Sequence, residues 1–210
     1  MNIGLIGRAR SGKDTAGQWL VDNRGYERVA FADPLKEAAL RLDPIVDWDY
    51  PDADEIADGL SDEVRHAVHL SELVDGEGWE RAKDDYPEVR RILQELGATM
   101  RAVNPEVWLR AALARVDEVN RTTGRPAVIT DVRYPNEADS LKRAGFKLIH
   151  IERPGVPHLD HESEGALGPE DAHFMIRNDG DLTAFWSRLE FIADEITAIE
   201  SARHYARSLS

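Results

Sequence analysis

Residues 7–15 read Gly-Arg-Ala-Arg-Ser-Gly-Lys-Asp-Thr, which sets two glycines and a lysine in the order G-x-x-x-x-G-K. A short apolar run precedes them and a helical pattern follows. Oxyanion binding asks for this arrangement. The chain must curl so that successive N–H groups point inward, and glycines permit the dihedrals that such a curl requires. The start of a helix adds the positive end of its dipole. Lys13 adds a mobile ammonium that reaches the outer phosphates of a triphosphate. The residue after the lysine is usually Ser or Thr, whose hydroxyl holds magnesium. Here Asp14 stands in that place and Thr15 follows. A carboxylate at position 14 suits a hydrated ion held through water; alternatively, Thr15 bonds the α-phosphate while the metal keeps most of its waters.

Four further groups invite a chemical reading. Asp131 ends the apolar run 127–130, the place where proteins with such a loop keep an acidic partner for metal or water. Arg133 lies two residues on, and an arginine there stabilises charge on a phosphoryl group in transfer. The plainer alternative is an Asp–Arg ion pair at a strand end. Over 87–102 the apolar face is Val89, Ile92, Leu93, Leu96 and Met100. Arg90, Gln94, Gly97 and Arg101 then form a separate stripe. Two guanidinium groups around an amide can grip a phosphate and read a base or sugar, although a solvated face has the same spacing. Asp33 is either the N-cap of a helix over 34–42 or an acceptor for a substrate proton, and Lys36, one turn on, can hold an acceptor phosphate. His158, His161 and His173 lie in or beside a loop with no cysteine and no clear fourth ligand, so lid contacts or simple exposure suit them better than a metal.

The elements that must position these residues alternate along the chain. Strands are expected at 2–7, 26–32, 127–130, 147–152 and 174–177, with helices at 13–23, 34–42, 87–102, from Asn104 onward, and at 135–144. A C-terminal helix would bury Leu182, Phe185, Trp186, Leu189, Ile192, Ile196 and Ile199 at spacings of three and four. Residues 43–86 are acidic and aperiodic, and read as a solvated insertion with short helices. Alternating strands and helices imply an α/β fold with a mostly parallel five-stranded sheet covered on both faces. Ligands in such sheets sit beyond the carboxyl ends of the strands.

Composition narrows the classes. With 210 residues, 42% hydrophobic and 31% charged, the chain is of ordinary globular type. The absence of cysteine excludes disulfides and thiolate metal sites and suits a reducing cytoplasm. A net charge of −14 repels nucleic-acid backbones, and no apolar run is long enough to span a membrane. A triphosphate loop alone fits a kinase, a GTPase or a mechanical ATPase. The lack of an Asn-Lys-x-Asp tetrapeptide lowers the second.

Several stretches together resemble the deoxynucleoside monophosphate kinases of bacteriophages, a branch of the P-loop kinases. They are Gly12-Lys13-Asp14-Thr15, Phe31-Ala32-Asp33-Pro34-Leu35-Lys36, Leu93-Gln94-Glu95-Leu96-Gly97, Pro105-Glu106-Val107-Trp108, Thr130-Asp131-Val132-Arg133-Tyr134-Pro135-Asn136-Glu137, His161-Glu162-Ser163-Glu164 and Asn178-Asp179-Gly180. They run through nearly the whole chain except 43–86. The resemblance implies a three-layer P-loop NTPase fold with a core at 1–35, 111–152 and 174–210, a helical acceptor-binding insertion near 36–110 and a lid near 153–173. It implies ATP, magnesium and transfer to a deoxynucleoside 5′-monophosphate. By motif, Gly7, Arg10, Ser11, Gly12, Lys13, Asp14 and Thr15 would serve the phosphates, with Asp14, Thr15 and Asp131 toward magnesium. Lys36, Arg90, Gln94, Arg101 and Trp108 would face the acceptor, Arg133 and Glu137 the cleft, and Arg153 would close from the lid. Relatives that pair make a homodimer an expectation. The competing readings are a P-loop kinase for another phosphorylated metabolite, such as phosphomevalonate or dephospho-coenzyme A, and a nucleotide-binding regulator that hydrolyses ATP slowly.

Overall fold

The structure is a computed structural model and describes residues 1–49, 66–156 and 165–208. In chain order its elements are β1 (Ile3–Ile6), α1 (Lys13–Arg24), β2 (Glu27–Val29), α2 (Ala32–Leu42), β3 (Ile45–Asp49), β4 (His66–His69) and α3 (Leu70–Asp85). Then follow α4 (Pro87–Val103), α5 (Val107–Thr123), β5 (Ala127–Val132), α6 (Pro135–Arg143), β6 (Lys147–Glu152), β7 (Phe174–Arg177) and α7 (Leu182–Ser208). The chain forms two compact units, one of Met1–Phe31 with Leu109–Ser210, the other of Ala32–Trp108.

The first unit is built on five strands in the order β2-β5-β1-β6-β7, and every described pairing is parallel. The runs Ile-Gly-Leu-Ile, Ala-Val-Ile-Thr and Leu-Ile-His-Ile are apolar on both faces, as a doubly covered sheet requires. On one face Leu5, Val128, Ile149 and Ile151 meet Ala16 and Leu20 of α1 and Phe185, Leu189, Ile192 and Ile196 of α7. On the other, Ile6, Ile129, Val132 and Leu148 meet Ala112 and Val116 of α5 and Ala138 and Leu141 of α6. Each fully buried aliphatic side chain contributes roughly 1.5–3 kcal/mol. The result is the expected three-layer α/β sandwich. In this order the chain leaves β1 toward β2 on one side and reaches β6 and β7 on the other, so the end of β1 is the topological switch point.

Several expectations are corrected. Among the described residues of 43–86, β3 and β4 pair antiparallel where no strand was expected, while α3 is broken at Gly78 into two short helices of the kind expected. Val46, Leu70, Leu73 and Ala82 of this segment share the second unit's core with Ala39 and Val89. Helix α2 starts at Ala32, which puts Asp33 inside the first turn rather than ahead of it as a cap. The C-terminal helix buries Phe185, Leu189, Ile192 and Ile196 but leaves Leu182 and Trp186 exposed at 55% and 39%: Leu182 is its first residue, and Trp186 lies roughly 100° round the helix from Phe185, off the buried stripe. Strand β5 also runs past residue 130, so Asp131 lies within it.

Two histidines tie β6 into the sheet's end. His173 accepts the Leu148 N–H at Nδ1 over 3.0 Å while its own N–H donates to the Leu148 carbonyl, so the ring stands in for a ladder partner. That bond requires an unprotonated Nδ1. His150, opposite Ile6 of β1, is 8% exposed. Burial lowers the pKa of both rings below the ordinary 6.5. For His150, Glu152 and Glu170 oppose that shift while Lys13 and Arg8 support it. The folded state therefore binds fewer protons than the unfolded chain as pH falls through about 6.5, and stability declines on the acid side. Urea unfolding at pH 7.5 and pH 5.5 should show a lower midpoint at pH 5.5. The double variant His150→Asn, His173→Asn should lose most of that difference.

Candidate active site

Local chemistry shapes the loop between β1 and α1. Helix α1 opens on Gly12 at φ 109° and ψ 13°, with no side chain capping its first turn. The first N–H groups of a helix have no partner within it. Arg10 sits at φ 62°, a left-handed conformation that costs a non-glycine residue about 1 kcal/mol or more. The curl is closed by Ser11 N–H donating to the Arg8 carbonyl over 3.2 Å.

The surroundings lock the curl. At Gly7 a Cβ would come within 2.4 Å of the Ile151 carbonyl oxygen, so only glycine lets the loop pass so close to β6. The Asn178 side-chain amide donates to the Ser11 carbonyl over 2.9 Å, and its backbone N–H donates to Glu152, the last residue of β6. Asn178 thereby ties the end of one strand to the loop after another. Sequence reasoning gave it no role. The stretch Asn178-Asp179-Gly180 was the available signal, but nothing in it reveals what lies opposite.

Lys13 reaches back over the loop and donates to the carbonyls of Gly7 and Arg8, each over 2.6 Å. Its ammonium is thus stored at the mouth of the curl. Ser11 is buried at 1% exposure, and its Oγ has no hydrogen-bond partner among the described residues. Such a group costs about 1–3 kcal/mol unless something satisfies it. Asp14 and Thr15 are exposed on the first turn of α1. Gly7, Arg8, Ala9 and Lys13 line a pocket together with Val132, Arg133 and Leu167. Arg133 thus lines the same pocket as the loop.

Asp131 and Glu137 serve the backbone. Asp131 Oδ1 accepts the Phe31 N–H over 2.8 Å, tying β5 to the segment after β2. Glu137 corrects the expectation of a cleft-facing acceptor ligand. It is buried, and Oε2 accepts the N–H groups of Arg133 (2.8 Å) and Tyr134 (3.1 Å), closing the N-terminus of α6. Its carboxylate fixes the turn that carries Arg133. Arg153 is exposed one residue after β6. Residues 157–164 of the expected lid, with His158, His161, Ser163 and Glu164, lie outside the described residues. Among the described residues no group of three or more His, Cys, Asp or Glu could hold a metal ion, and His173 is a structural ring.

The second unit carries the other candidates. Helix α4 spans Pro87–Val103, as its apolar periodicity requires, and Arg90, Gln94 and Arg101 are exposed on it. Arg90 pairs with Asp84 and donates to the Lys83 carbonyl. Gly97 is buried on the same stripe, with Leu35 on one side and the Arg101 guanidinium on the other of the position a Cβ would take. Trp108 departs from its expected place facing an acceptor. It is 7% exposed, and its indole N–H donates to the Gly97 carbonyl over 3.3 Å, so it braces the stripe from beneath. The Lys36 ammonium lies 5.3 Å from the centre of the Trp79 ring.

Residues 58–189 match the family model described as deoxynucleotide monophosphate kinase. The chain is 25% identical to the deoxynucleotide monophosphate kinase of Enterobacteria phage T4, over 90% of this chain and 96% of that protein. It is 29% identical to a protein of Acanthamoeba polyphaga mimivirus whose name carries the same activity, over 89% of this chain and 93% of that one. Among solved structures, a dephospho-CoA kinase from Campylobacter jejuni superposes with a TM-score of 0.46 at 14% identity, over 93% of this chain and 96% of that one. With well over half of its length matched by the family model, the chain belongs to the deoxynucleotide monophosphate kinase family.

Proposed function

We propose that this chain transfers the γ-phosphoryl group of ATP to the 5′-phosphate of a deoxynucleoside monophosphate, giving ADP and the diphosphate. The observation that carries the reading is the phosphate loop within a chain of this family. Uncapped amides at the start of α1, a strained Arg10 and a lysine stored on two loop carbonyls have a common use, which is to receive phosphates. The orphaned Ser11 hydroxyl beside them fits the same occupant.

The residues divide the work. The amides of residues 12–15 hold the donor phosphates, and Lys13 leaves the Gly7 and Arg8 carbonyls for phosphate oxygens. Arg133, fixed by Glu137, faces the same pocket and offsets the charge that spreads over the equatorial oxygens in transfer. Lys36, Gln94 and Arg101 hold the acceptor nucleotide. Positioning and charge neutralisation carry the reaction, so no strong base is required. Magnesium, when bound, neutralises phosphate charge. Asp14, Thr15 and Asp131 fit a hydrated ion carried by the phosphates rather than a protein cage, since Asp131 already spends one oxygen on Phe31.

ADP release from ATP and magnesium, with dAMP, dCMP, dGMP and dTMP in turn, tests the reading. At least one of them should stimulate release well above the rate without acceptor. Equal rates with and without all four would reject it. Lys13→Ala should lower kcat by about 100-fold or more while the melting temperature stays within about 3 °C. Arg101→Ala should raise the KM for the monophosphate roughly 10-fold or more and leave the KM for ATP unchanged. Glu137→Ala removes the acceptor for two buried N–H groups, and should lower stability by about 1–3 kcal/mol in urea unfolding as well as slow transfer through Arg133.

A further inference from the structure

Resting on the reading of the loop after β1 as the donor-phosphate site, we propose that Asn178 is a positioning residue for the donor: it holds the Ser11 carbonyl on one side of the loop and so turns the Gly12 N–H toward the phosphates on the other. It acts through a single peptide unit and touches no substrate itself.

The peptide unit that joins Ser11 to Gly12 is planar and trans, so its carbonyl and its N–H point in opposite directions. Whatever fixes one end aims the other. The Asn178 side-chain amide donates to the Ser11 carbonyl over 2.9 Å. The Gly12 N–H has no hydrogen-bond partner among the described residues. It stands at the start of α1, where the helix dipole favours an anion. Released from Asn178, the unit would be free to rotate and to present a carbonyl oxygen where a phosphate oxygen has to lie. Asn178 also explains the glycine beside it. A Cβ on residue 12 would come within 2.7 Å of the Asn178 amide nitrogen and 3.5 Å of the Phe185 ring. Gly12 is thus required twice, by its own φ of 109° and by a side chain from another strand's end.

The fold holds Asn178 firmly enough for that task. Strand β7 is the last of the sheet, with β6 between it and β1. Arg177 pairs with Glu152 in register, and the Asn178 N–H donates to the Glu152 carbonyl over 2.7 Å. From there the half-buried side chain crosses the end of β6 to reach the loop. The backbone on either side is tied as well. Arg188 of α7 donates to the Arg177 carbonyl and, over 2.7 Å, to Asp179, while Arg177 pairs with Asp179 over 3.0 Å. An ionised carboxylate at position 178 would not serve, because it has no N–H to offer the Ser11 carbonyl.

Calorimetric binding of inorganic tripolyphosphate to the full chain, with steady-state kinetics on the best of the four deoxynucleoside monophosphates, tests the proposal. Asn178→Ala should weaken tripolyphosphate binding about 10-fold and raise the KM for ATP by a similar factor, the loss of about one well-aimed bond to a charged group. Asn178→Asp, which keeps the shape and removes the donor, should be worse on both counts. The KM for the monophosphate should not change in either. Should these variants fail to fold, Asn178→Ser should show the same split at smaller size. An equal rise in both KM values would overturn the proposal, and so would unchanged tripolyphosphate binding in Asn178→Ala; both leave the kinase reading standing. Unchanged tripolyphosphate binding with weakened ATP would place Asn178 against the base or sugar instead. No binding of tripolyphosphate by the wild-type chain would reject the proposal together with the phosphate-loop reading. A wild-type chain that binds tripolyphosphate through Asn178 but phosphorylates none of the four would reject the acceptor class and leave Asn178 in its role.

Discussion

Backbone amides that converge on an anion cannot be satisfied by their own helix, and the first unit is arranged around that constraint. The first turn of α1 has no capping side chain, and Arg10 is held left-handed beside it. Both are costs, of about 1 kcal/mol each. They are offset by what lies behind the loop. Strand β1 is buried along its whole length between β5 and β6, and Gly7 runs against the end of β6 at a distance that excludes any side chain. Asn178 adds a clamp from beyond β7. The strain persists because several independent contacts over-determine it.

The handling of charge follows from the same constraint. The chain carries a net charge of −14, yet it must attract polyanionic nucleotides. Near the loop, carboxylates are turned toward the backbone: Asp131 toward Phe31, and Glu137 toward Arg133 and Tyr134. Lys13 donates to the carbonyls of Gly7 and Arg8 at the mouth of the loop. Exposed arginines elsewhere pair with acids in the ordinary way, as Arg91 does with Glu88 and Glu95. Those surface pairs are worth little.

The five core strands, the phosphate loop and the extent of α4 were legible because each is written in local pattern. Strands buried on both faces read as apolar runs, the loop as glycine spacing, and α4 as a period near 3.6 from Val89 to Met100. The hairpin of β3 and β4 was not legible, since Ile45–Asp49 is mostly exposed and acidic and its partner lies well down the chain. Nor could spacing reveal that Leu182 and Trp186 stay exposed, because how wide a stripe of α7 the sheet covers is set by packing and not by the pattern of the helix itself.

By itself, then, the amino-acid sequence determined the fold class, the place of the phosphate loop and the residue types that meet a nucleotide, because all three depend on dihedrals and periodicities within a few residues of one another. Only the tertiary structure decided what each charged or aromatic side chain does. Glu137 became a turn anchor, Trp108 a brace beneath Gly97 and Asn178 a clamp. Those roles are set by partners as far as 167 residues away in the chain. A side chain's chemistry is local, but its use depends on what the fold places opposite it.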